Sequence, residues 1–339
     1  SSQPKCPLGI NILEFIRLLR EGDMHGAYKK IREESCLPAV CGRLCLAPCE
    51  QEYVIGGKKM PIDVRALERF TADHGRPGFL GRDRLTCAKQ PVAVIGSGPA
   101  GLSAAAILAR ELYCVTVYES LPQLGGILCY GVPEFRLPKS VLDAEIGQVR
   151  DLGVEFLTDV TIGANMTVDD LFAKGFSAVI LAAGRSHPKL FDLPGTDAQE
   201  VFYAQEVLMK LNGSPDVFVR EYGQKIGSRV LVIGSHGEAL DCARACRRLG
   251  KQAAVVFPGT ESDIEAHRNE ILYSREEGVD FQTLLKPRAV ELDNAGRVKG
   301  LTCGRMDFAE KNGQWVLMPV PGAEEVIPAD TIILAQGHD

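Results

Sequence analysis

The same local order occurs twice in the sequence: a short apolar strand, a glycine-rich loop, a helix of small residues and a second strand. In the first copy the predicted strands are residues 92–95 and 115–119, and the predicted helix is residues 99–112. In the second copy the strands are residues 230–233 and 253–257, and the helix is residues 239–249. A strand, a crossover helix and a neighbouring strand form the β-α-β unit of parallel sheets. The sequence therefore predicts an α/β protein with two tandem Rossmann-like nucleotide-binding domains.

The glycine loop of the first copy directly follows a strand and opens a helix. It reads Gly96-Ser97-Gly98-Pro99-Ala100-Gly101. Gly96 permits the tight turn, Gly98 lets the backbone approach a pyrophosphate, and Gly101 lets helix and strand pack closely. The helix N-terminus stabilises phosphate charge, and Glu119 at the end of the second strand can accept from both ribose hydroxyls. The pattern predicts a dinucleotide site.

Length and charge limit the remaining classes. The 339 residues are enough for two or three domains. A net charge of −6 opposes nucleic-acid binding, which needs a basic face. No apolar run reaches the 18 or so residues that a membrane span requires. The first residues, Ser1 to Lys5, carry no apolar signal core behind a basic flank, so a cytoplasmic location is expected.

A small helical module is predicted before the first nucleotide-binding domain. Apolar residues recur at helical spacing between residues 10 and 35, with a break at Gly22 and Asp23, which predicts two helices. Residues 73–90 are rich in glycine, proline and charge and are typical of a linker. The predicted domains are residues 1–85, 86–200 and 201–339.

Cysteines crowd the start of the chain. Five of the eleven lie in the first 49 residues, and structural disulfides are not expected in a reducing cytosol. Cys41, Cys45 and Cys49 stand four residues apart, with Cys6-Pro7 upstream. Soft thiolates of this kind suit a [4Fe-4S] cluster, with zinc and buried structural thiols as alternatives. The six later cysteines receive no role and are interpreted as buried apolar side chains.

A distinctive string follows the first β-α-β unit. Residues 125–139 read Gly-Gly-Ile-Leu-Cys-Tyr-Gly-Val-Pro-Glu-Phe-Arg-Leu-Pro-Lys. With this string the chain resembles, over nearly its whole length, the small (beta) subunit of glutamate synthase and the matching N-terminal part of dihydropyrimidine dehydrogenase. The resemblance implies a two-dinucleotide-binding flavoprotein with FAD in the first domain. The FAD residues that it implies in this string are Gly126, Leu128 and Arg136.

The resemblance also implies the segments that join the two nucleotide domains. Ala182-Ala183-Gly184 is similar to the family's outward crossover, so Ala183 and Gly184 are expected near FAD, and residues 332–337 are similar to the return crossover. Family members continue beyond it into a last FAD-domain segment with a Gly-Asp pair near the flavin. The sequence given ends at Asp339, so we expect that segment to come from further residues or from another chain.

The resemblance implies a ligand set for the N-terminal cysteines as well. Family members carry two [4Fe-4S] clusters, and one of them takes three cysteines and a Gln or Glu side chain. This set corresponds to Cys6, Cys45, Cys49 and Glu68, with Cys41 as a neighbour. The other cluster needs cysteines upstream of the Cys-Pro pair and one at the position of Tyr53. We therefore expect a single cluster.

The second glycine loop lies where the family binds its nicotinamide nucleotide, and it departs from the family pattern twice. It reads Gly234-Ser235-His236-Gly237-Glu238-Ala239. His236 replaces a glycine, whose close approach Gly237 could supply. The family's arginine pair after the next strand is replaced by Phe257-Pro258-Gly259, with the acids Glu261 and Asp263 close behind. Arginine suits a 2′-phosphate, so NADH is favoured over NADPH. The alternative is that this half keeps the fold without binding nucleotide.

These features predict an electron-input enzyme. Hydride would pass from a nicotinamide nucleotide to FAD, with electrons passing on through the cluster to a partner redox subunit. Such chemistry needs no acid or base residue. Cys129 is not interpreted as a disulfide-reductase thiol, because the nucleotide domains contain no CxxC motif. The alternative function is a non-catalytic docking subunit of a larger redox complex.

Overall fold

The computed structural model describes residues 6–52, 62–76, 86–185, 192–311 and 313–335. The chain divides into two compact units. The first comprises Ser1–Cys129 and Glu134–Gly184, and the second comprises Tyr130–Pro133 and Arg185–Asp339. The domain boundaries at residues 85 and 200 stay predictions.

The first unit begins with helices that polar side chains cap. They are α1 (Ile12–Arg20), α2 (Met24–Arg32), α3 (Pro38–Leu44) and α4 (Val64–His74). A 3₁₀ turn at Pro48–Glu52 lies between α3 and α4. The side chains of Asn11, Asp23 and Asp63 accept from backbone N–H groups in the first turns of α1, α2 and α4. The two helices predicted between residues 10 and 35 are confirmed. The linker predicted at residues 73–90 begins later than expected, because α4 continues to His74.

A parallel sheet carries the rest of the first unit. Its strands are β1 (Pro91–Ile95), β2 (Cys114–Tyr118), β3 (Glu155–Leu157) and β4 (Ala178–Leu181), in the order β3-β2-β1-β4. The accompanying helices are α5 (Pro99–Arg110), α6 (Ile127–Tyr130), α7 (Lys139–Asp151) and α8 (Val168–Ala173). Val94, Ala105, Val117 and Val149 share one buried apolar cluster, which packs α5 and α7 on the sheet. The first predicted β-α-β unit is confirmed.

The second unit contains another parallel sheet and a smaller antiparallel one. The parallel strands are β5 (Val201–Tyr203), β6 (Arg229–Ile233), β7 (Gln252–Val256), β8 (Asp280–Gln282) and β12 (Thr331–Leu334), in the order β5-β12-β6-β7-β8. The antiparallel strands are β9 (Leu285–Leu292), β10 (Val298–Lys311) and β11 (Gln314–Pro328). The helices are α9 (Ala204–Gly213), α10 (Pro215–Lys225), α11 (Gly237–Arg248) and α12 (Arg268–Glu276), with a 3₁₀ turn at Glu261–Asp263. The second predicted β-α-β unit is confirmed.

The apolar run of β6 explains why this sheet is covered on both faces. Val230 and Val232 belong to one buried cluster, whereas Leu231 and Ile233 belong to another. Successive side chains of a strand point to opposite faces, so a strand that is buried on both sides is apolar throughout. No helix among the described residues is long and apolar enough to cross a membrane.

The structure corrects the expectation about disulfides. Cys87 and Cys114, to which the sequence assigns no role, form a disulfide bond. The N–H groups of Ala88 and Lys89 donate to the carbonyl oxygen of Leu112 at 2.9 and 3.0 Å, and so place Cys87 beside the start of β2. The two cysteines are 27 residues apart in sequence, and only the parallel pairing of β1 with β2 brings them together.

This disulfide is expected to stabilise the first unit. Closing a loop of this length lowers the entropy of the unfolded chain, which corresponds to about 3.5 kcal/mol and a rise in melting temperature of roughly 7–14 °C. Differential scanning calorimetry with and without a phosphine reductant measures the change. The double variant Cys87→Ser, Cys114→Ser should melt at the lower temperature under both conditions. Equal melting temperatures for the oxidised, reduced and double-variant proteins would contradict the expectation.

Candidate functional site

The first glycine loop turns sharply at the end of β1. Gly96 has φ of +100°, a conformation that favours glycine. Its N–H donates to the carbonyl oxygen of Tyr118 at 2.7 Å. A Cβ atom at Gly96 would lie 2.3 Å from the carbonyl oxygen of Ala182 in the crossover after β4. Only glycine fits between these two strand ends.

The next two glycines differ in what surrounds them. A Cβ at Gly101 would lie 1.9 Å from the carbonyl oxygen of Gly96, so this position must be glycine for α5 to pack against the loop. A Cβ at Gly98, the N-cap residue of α5, would meet nothing within 4 Å. Pro99 begins the helix and Ala100 is exposed beside it. The open space at the helix N-terminus suits a pyrophosphate.

Ser97 connects the predicted parts of this site, and the sequence argument missed it. Its N–H donates to Oε2 of Glu119 at 2.9 Å, and its hydroxyl bonds the same oxygen. The N–H of Gly125 donates to Oγ of Ser97 at 2.9 Å. Oε1 of Glu119 accepts from the N–H of Leu121 at 3.0 Å. The buried Glu119 carboxylate is thereby fixed beside the loop, next to the segment that follows β2.

The Gly-Gly segment lies against the loop. Gly126 has φ of +53°, and a Cβ there would lie 2.9 Å from Cα of Gly98. Leu128 is buried at the start of α6, where its carbonyl oxygen accepts from Nζ of Lys139 at 3.2 Å. Arg136 is half-buried. These glycines form a cradle that added Cβ atoms would fill, and the residues present fit a dinucleotide such as FAD.

The outward crossover directly follows β4. The N–H of Ala182 donates to the carbonyl oxygen of Ile95 at 2.8 Å, which fixes the crossover beside the glycine turn. Ala183 and Gly184 are exposed, and Gly184 has φ of +73°. Of the return crossover, residues 332–335 are described, and residues 336–339 lie outside the described part of the chain.

The second glycine loop repeats the first. The N–H of Gly234 donates to the carbonyl oxygen of Val256 at 3.1 Å, and a Cβ at Gly234 would lie 2.0 Å from the carbonyl oxygen of Ala335. The N–H of Ala335 donates to the carbonyl oxygen of Ile233 at 2.8 Å. Gly237 and Glu238 form the first turn of α11, followed by the buried Ala239. The same strand ends, loop and helix N-terminus thus recur in the second unit.

The acids after β7 have partners of their own. The Asp263 carboxylate accepts from the N–H of Thr260 at 2.7 Å and from its hydroxyl at 2.9 Å, and these bonds lower the pKa of Asp263. Glu261 forms an ion pair with Arg275. Arg268 is the first residue of α12. The two acids that follow β7 in the sequence, Glu261 and Asp263, are therefore already bonded to neighbouring residues.

The N-terminal helices enclose a small apolar pocket that contains the predicted cluster ligands. Its lining residues are Cys6, Pro7, Ile10, Ile12, Phe15, Cys45, Ala47, Pro48, Cys49, Val64, Arg65 and Glu68. The N–H of Ala47 donates to Sγ of Cys45 at 3.3 Å. Arg65, which the sequence argument missed, donates to the carbonyl oxygen of Cys45 at 3.2 Å. Cys41 does not line this pocket. The hydroxyl of Ser35 donates to Sγ of Cys41 at 3.7 Å.

The pocket holds more acidic groups than its apolar walls can stabilise as anions. Burial raises the pKa of Glu68 to about 7, with a smaller contribution from Glu145, and Oε1 of Glu68 has no hydrogen-bond partner among the described residues. Burial, followed by the neighbouring Cys45 and Cys6, raises the pKa of Cys49 to about 12. A cationic iron centre would compensate such a set. Three thiols and one unsatisfied carboxylate fit an iron-sulfur cluster.

A single metal ion fits less well. Within the described ranges no three His, Cys, Asp or Glu side chains converge closely enough to hold one ion. An iron-sulfur cluster is larger than an ion, so its ligands stand further apart. Tyr53, at the position of the missing ligand for a second cluster, lies outside the described residues.

Comparison with family profiles assigns both parts of the chain. Residues 90–339 match the pyridine nucleotide-disulphide oxidoreductase family. The chain belongs to this family of oxidoreductases. Residues 1–77 match dihydropyrimidine dehydrogenase domain II, a 4Fe-4S cluster domain. The nucleotide domains of this chain contain no CxxC pair. Cys129 is buried, and burial raises the pKa of its thiol.

Curated relatives are similar over almost the whole chain. The glutamate synthase [NADPH] small chain of Halomonas elongata is 32% identical, over 98% of this chain and 72% of its own length. The NADP(+)-dependent formate dehydrogenase subunit beta of Moorella thermoacetica is 31% identical over 98% of this chain. The chain spans only 50% of that relative. The predicted resemblance to the glutamate synthase small subunit is confirmed.

Solved structures support the fold. Mycobacterium tuberculosis FprA in complex with NADPH has a TM-score of 0.59 and 19% identity, over 74% of this chain and 71% of its own. A 2-naphthoyl-CoA reductase complex has a TM-score of 0.60 and 19% identity, over 98% of this chain and 43% of its own. The predicted two-dinucleotide-binding architecture with an N-terminal iron-sulfur module is confirmed.

Proposed function

We propose that the chain is the electron-input part of a flavin-dependent oxidoreductase, taking hydride from a nicotinamide nucleotide onto FAD and passing electrons through one [4Fe-4S] cluster to a partner. The observation that carries this proposal is the paired construction of the two glycine loops together with the thiol-lined pocket. When bound, FAD supplies the conversion of a two-electron hydride donor into single electrons. No acid or base residue is needed for that step.

The first unit would hold FAD through backbone and charge rather than through catalytic side chains. Gly96 and Gly101 shape the turn, Gly98 leaves space for the pyrophosphate, and the carboxylate of Glu119 beside the loop would accept from the ribose hydroxyls. Ser97 keeps Glu119 in place by bonding its carboxylate. The helix N-terminus of α5 would stabilise the phosphate charge.

The pocket would hold the cluster through Cys6, Cys45, Cys49 and Glu68. Thiolates are the usual ligands of such clusters, and hydrogen bonds to their sulfurs tune the reduction potential. The N–H of Ala47 supplies one such bond to Cys45. The proposal includes one cluster, since Tyr53 stands where the family has a further cysteine.

A partner subunit and a cytoplasmic location belong to the same proposal. Relatives that share this region are named as subunits, among them the NADPH-Fe(3+) oxidoreductase subunit beta of Geobacter sulfurreducens, at 31% identity over 99% of this chain. An electron-input chain needs an acceptor beyond its own cofactors. The acceptor is therefore expected to be another redox centre in a complex.

The proposal includes a preference for NADH over NADPH. A 2′-phosphate requires charged donors such as arginine, each charge-assisted hydrogen bond contributing roughly 1.5–3 kcal/mol. Phe257, Pro258 and Gly259 offer no such side chain after β7, and Arg275 is engaged by Glu261. Relatives named for NADPH oppose this preference, whereas the Schizosaccharomyces pombe relative, at 30% identity, is named for NADH.

Anaerobic titration of the reconstituted protein with each nucleotide tests whether the flavin accepts hydride, and steady-state kinetics tests the preference for NADH. Either nucleotide should bleach the flavin absorbance, and steady-state reduction of an artificial acceptor should give a higher kcat/KM with NADH. A higher kcat/KM with NADPH would show that Arg268 or another base contacts the 2′-phosphate. Bound flavin that neither nucleotide bleaches would instead favour a docking subunit.

A further inference from the structure

The second glycine loop has a histidine where the first has a glycine, although the backbone at the two positions is similar. Gly98 is the N-cap residue of α5, and His236 is the N-cap residue of α11. Both have extended backbones, with φ and ψ of −68° and −177° at Gly98 and −102° and 168° at His236. A Cβ at Gly98 would meet only open space. By this correspondence the His236 side chain extends into the space where a diphosphate would approach the second loop.

The His236 ring has a carboxylate neighbour. Its Nδ1 lies 3.2 Å from Oε2 of Glu265. The backbone of Glu265 is itself attached to the loop, because its N–H donates to the carbonyl oxygen of Ser235 at 2.8 Å and it forms a parallel bridge with His236. The segment between β7 and α12 thus keeps the backbone of Glu265 beside the loop, from which its exposed carboxylate reaches the ring.

The chemistry of the pair suits an anionic ligand. The second glycine of such loops normally lets the backbone approach the pyrophosphate, and a Cβ at that position prevents this approach. A charged imidazole donates from both ring nitrogens. With Nδ1 donating to Glu265, Nε2 of a charged ring can donate to a phosphate oxygen. A side-chain donor can therefore replace the lost backbone contact.

We propose that His236 binds the diphosphate of the nicotinamide nucleotide through its imidazole and that Glu265 is a positioning residue that orients the ring. This inference rests on the proposed function, since it assigns a ligand contact within the same nucleotide site. NADH and NADPH share the diphosphate, so the contact serves both nucleotides equally. It adds affinity without selecting between them.

Isothermal titration calorimetry on the FAD-loaded protein tests the assignment with NAD⁺ and NADP⁺, which bind without reducing the flavin. His236→Ala keeps the Cβ but loses the imidazole donor, so it should raise Kd about tenfold for both nucleotides, which corresponds to the loss of one charged hydrogen bond. His236→Gly removes the Cβ as well and should recover part of the affinity, because the backbone can then approach the diphosphate. His236→Gln keeps an N–H donor and should recover part of the affinity. The flavin content of these variants should equal that of the unmodified protein, because the first unit is untouched.

A double-mutant cycle tests the role of Glu265. Glu265→Gln should raise Kd about threefold on its own and have no further effect in the His236→Ala background, because it acts through the ring. Glu276→Gln, an exposed carboxylate near the end of α12, is the matched control and should leave Kd unchanged. An additive effect of Glu265→Gln in the His236→Ala background would overturn the positioning role.

The outcomes separate this inference from the proposed function. If the unmodified protein binds nucleotide and His236→Ala binds it as tightly or more tightly, the histidine contact is wrong while the proposed function stands. If the unmodified FAD-loaded protein binds neither nucleotide, the proposed function fails and this inference fails with it.

Discussion

Cys49→Ser is expected to abolish the iron-sulfur cluster while leaving flavin bound. Cys49 is buried in the pocket that Cys6, Cys45 and Glu68 also line. A serine hydroxyl is a poor substitute for a soft thiolate ligand of iron. Anaerobically reconstituted protein should contain about four irons per chain, one [4Fe-4S] cluster, and the variant close to none. The visible absorbance of the cluster should disappear with the iron.

Cys41→Ser is the matched control for this change. Cys41 lies in the same helical module and burial raises the pKa of its thiol to about 12, yet it does not line the pocket. The control should retain full iron. Loss of iron in Cys41→Ser with retention in Cys49→Ser would refute the ligand set. About eight irons in the unmodified protein would refute a single cluster.

Gly98→Val is expected to prevent FAD binding without unfolding the first unit. The backbone at Gly98 is extended, a conformation that valine adopts readily, and the added side chain meets no protein atom near its Cβ. The side chain would fill the space at the helix N-terminus that the pyrophosphate needs. The flavin content after reconstitution should fall from at least about nine-tenths to less than about a tenth, which at fixed free FAD corresponds to a rise in Kd of about 80-fold, a loss of about 2.6 kcal/mol or more in binding.

Gly147→Ala is the control for Gly98→Val. Gly147 lies within α7, and a Cβ there also meets nothing within 4 Å. Alanine in a helix interior is favoured over glycine by up to about 1 kcal/mol, so this variant should bind FAD fully and melt no lower. Circular dichroism should show unchanged secondary structure for both variants. Stoichiometric flavin in Gly98→Val would show that FAD does not use this loop.

The two β-α-β units could be predicted from sequence because local signals determine them. Each unit combines a short apolar strand, a glycine turn and a helix of small residues, and both β1 and β6 lie within about one residue of the prediction. Gly96 and Gly234 were predictable for the same reason, since each stands where a Cβ would strike a crossover carbonyl. Such positions admit only glycine, and the pattern is visible without the fold.

The remaining features depend on contacts between distant residues. Cys87 and Cys114 meet only because β1 and β2 pair in parallel. Ser97 was missed because a serine between two glycines carries no signal of its own until Glu119 and Gly125 are placed around it. Helix α4 was missed as an element, although Glu68 on it was assigned through the resemblance to the family. The pocket itself is a product of tertiary packing.

The central claim is that electrons enter from a nicotinamide nucleotide through FAD and leave through the cluster. Anaerobic rapid mixing with NADH, followed by optical detection and freeze-quenched electron paramagnetic resonance, tests this order most directly. The account predicts that the flavin absorbance falls first and that the signal of a reduced [4Fe-4S] cluster then rises, whereas Cys49→Ser shows the flavin change alone. A fully loaded protein whose flavin is reduced while its cluster stays oxidised, or whose flavin is reduced by neither nucleotide, would contradict it.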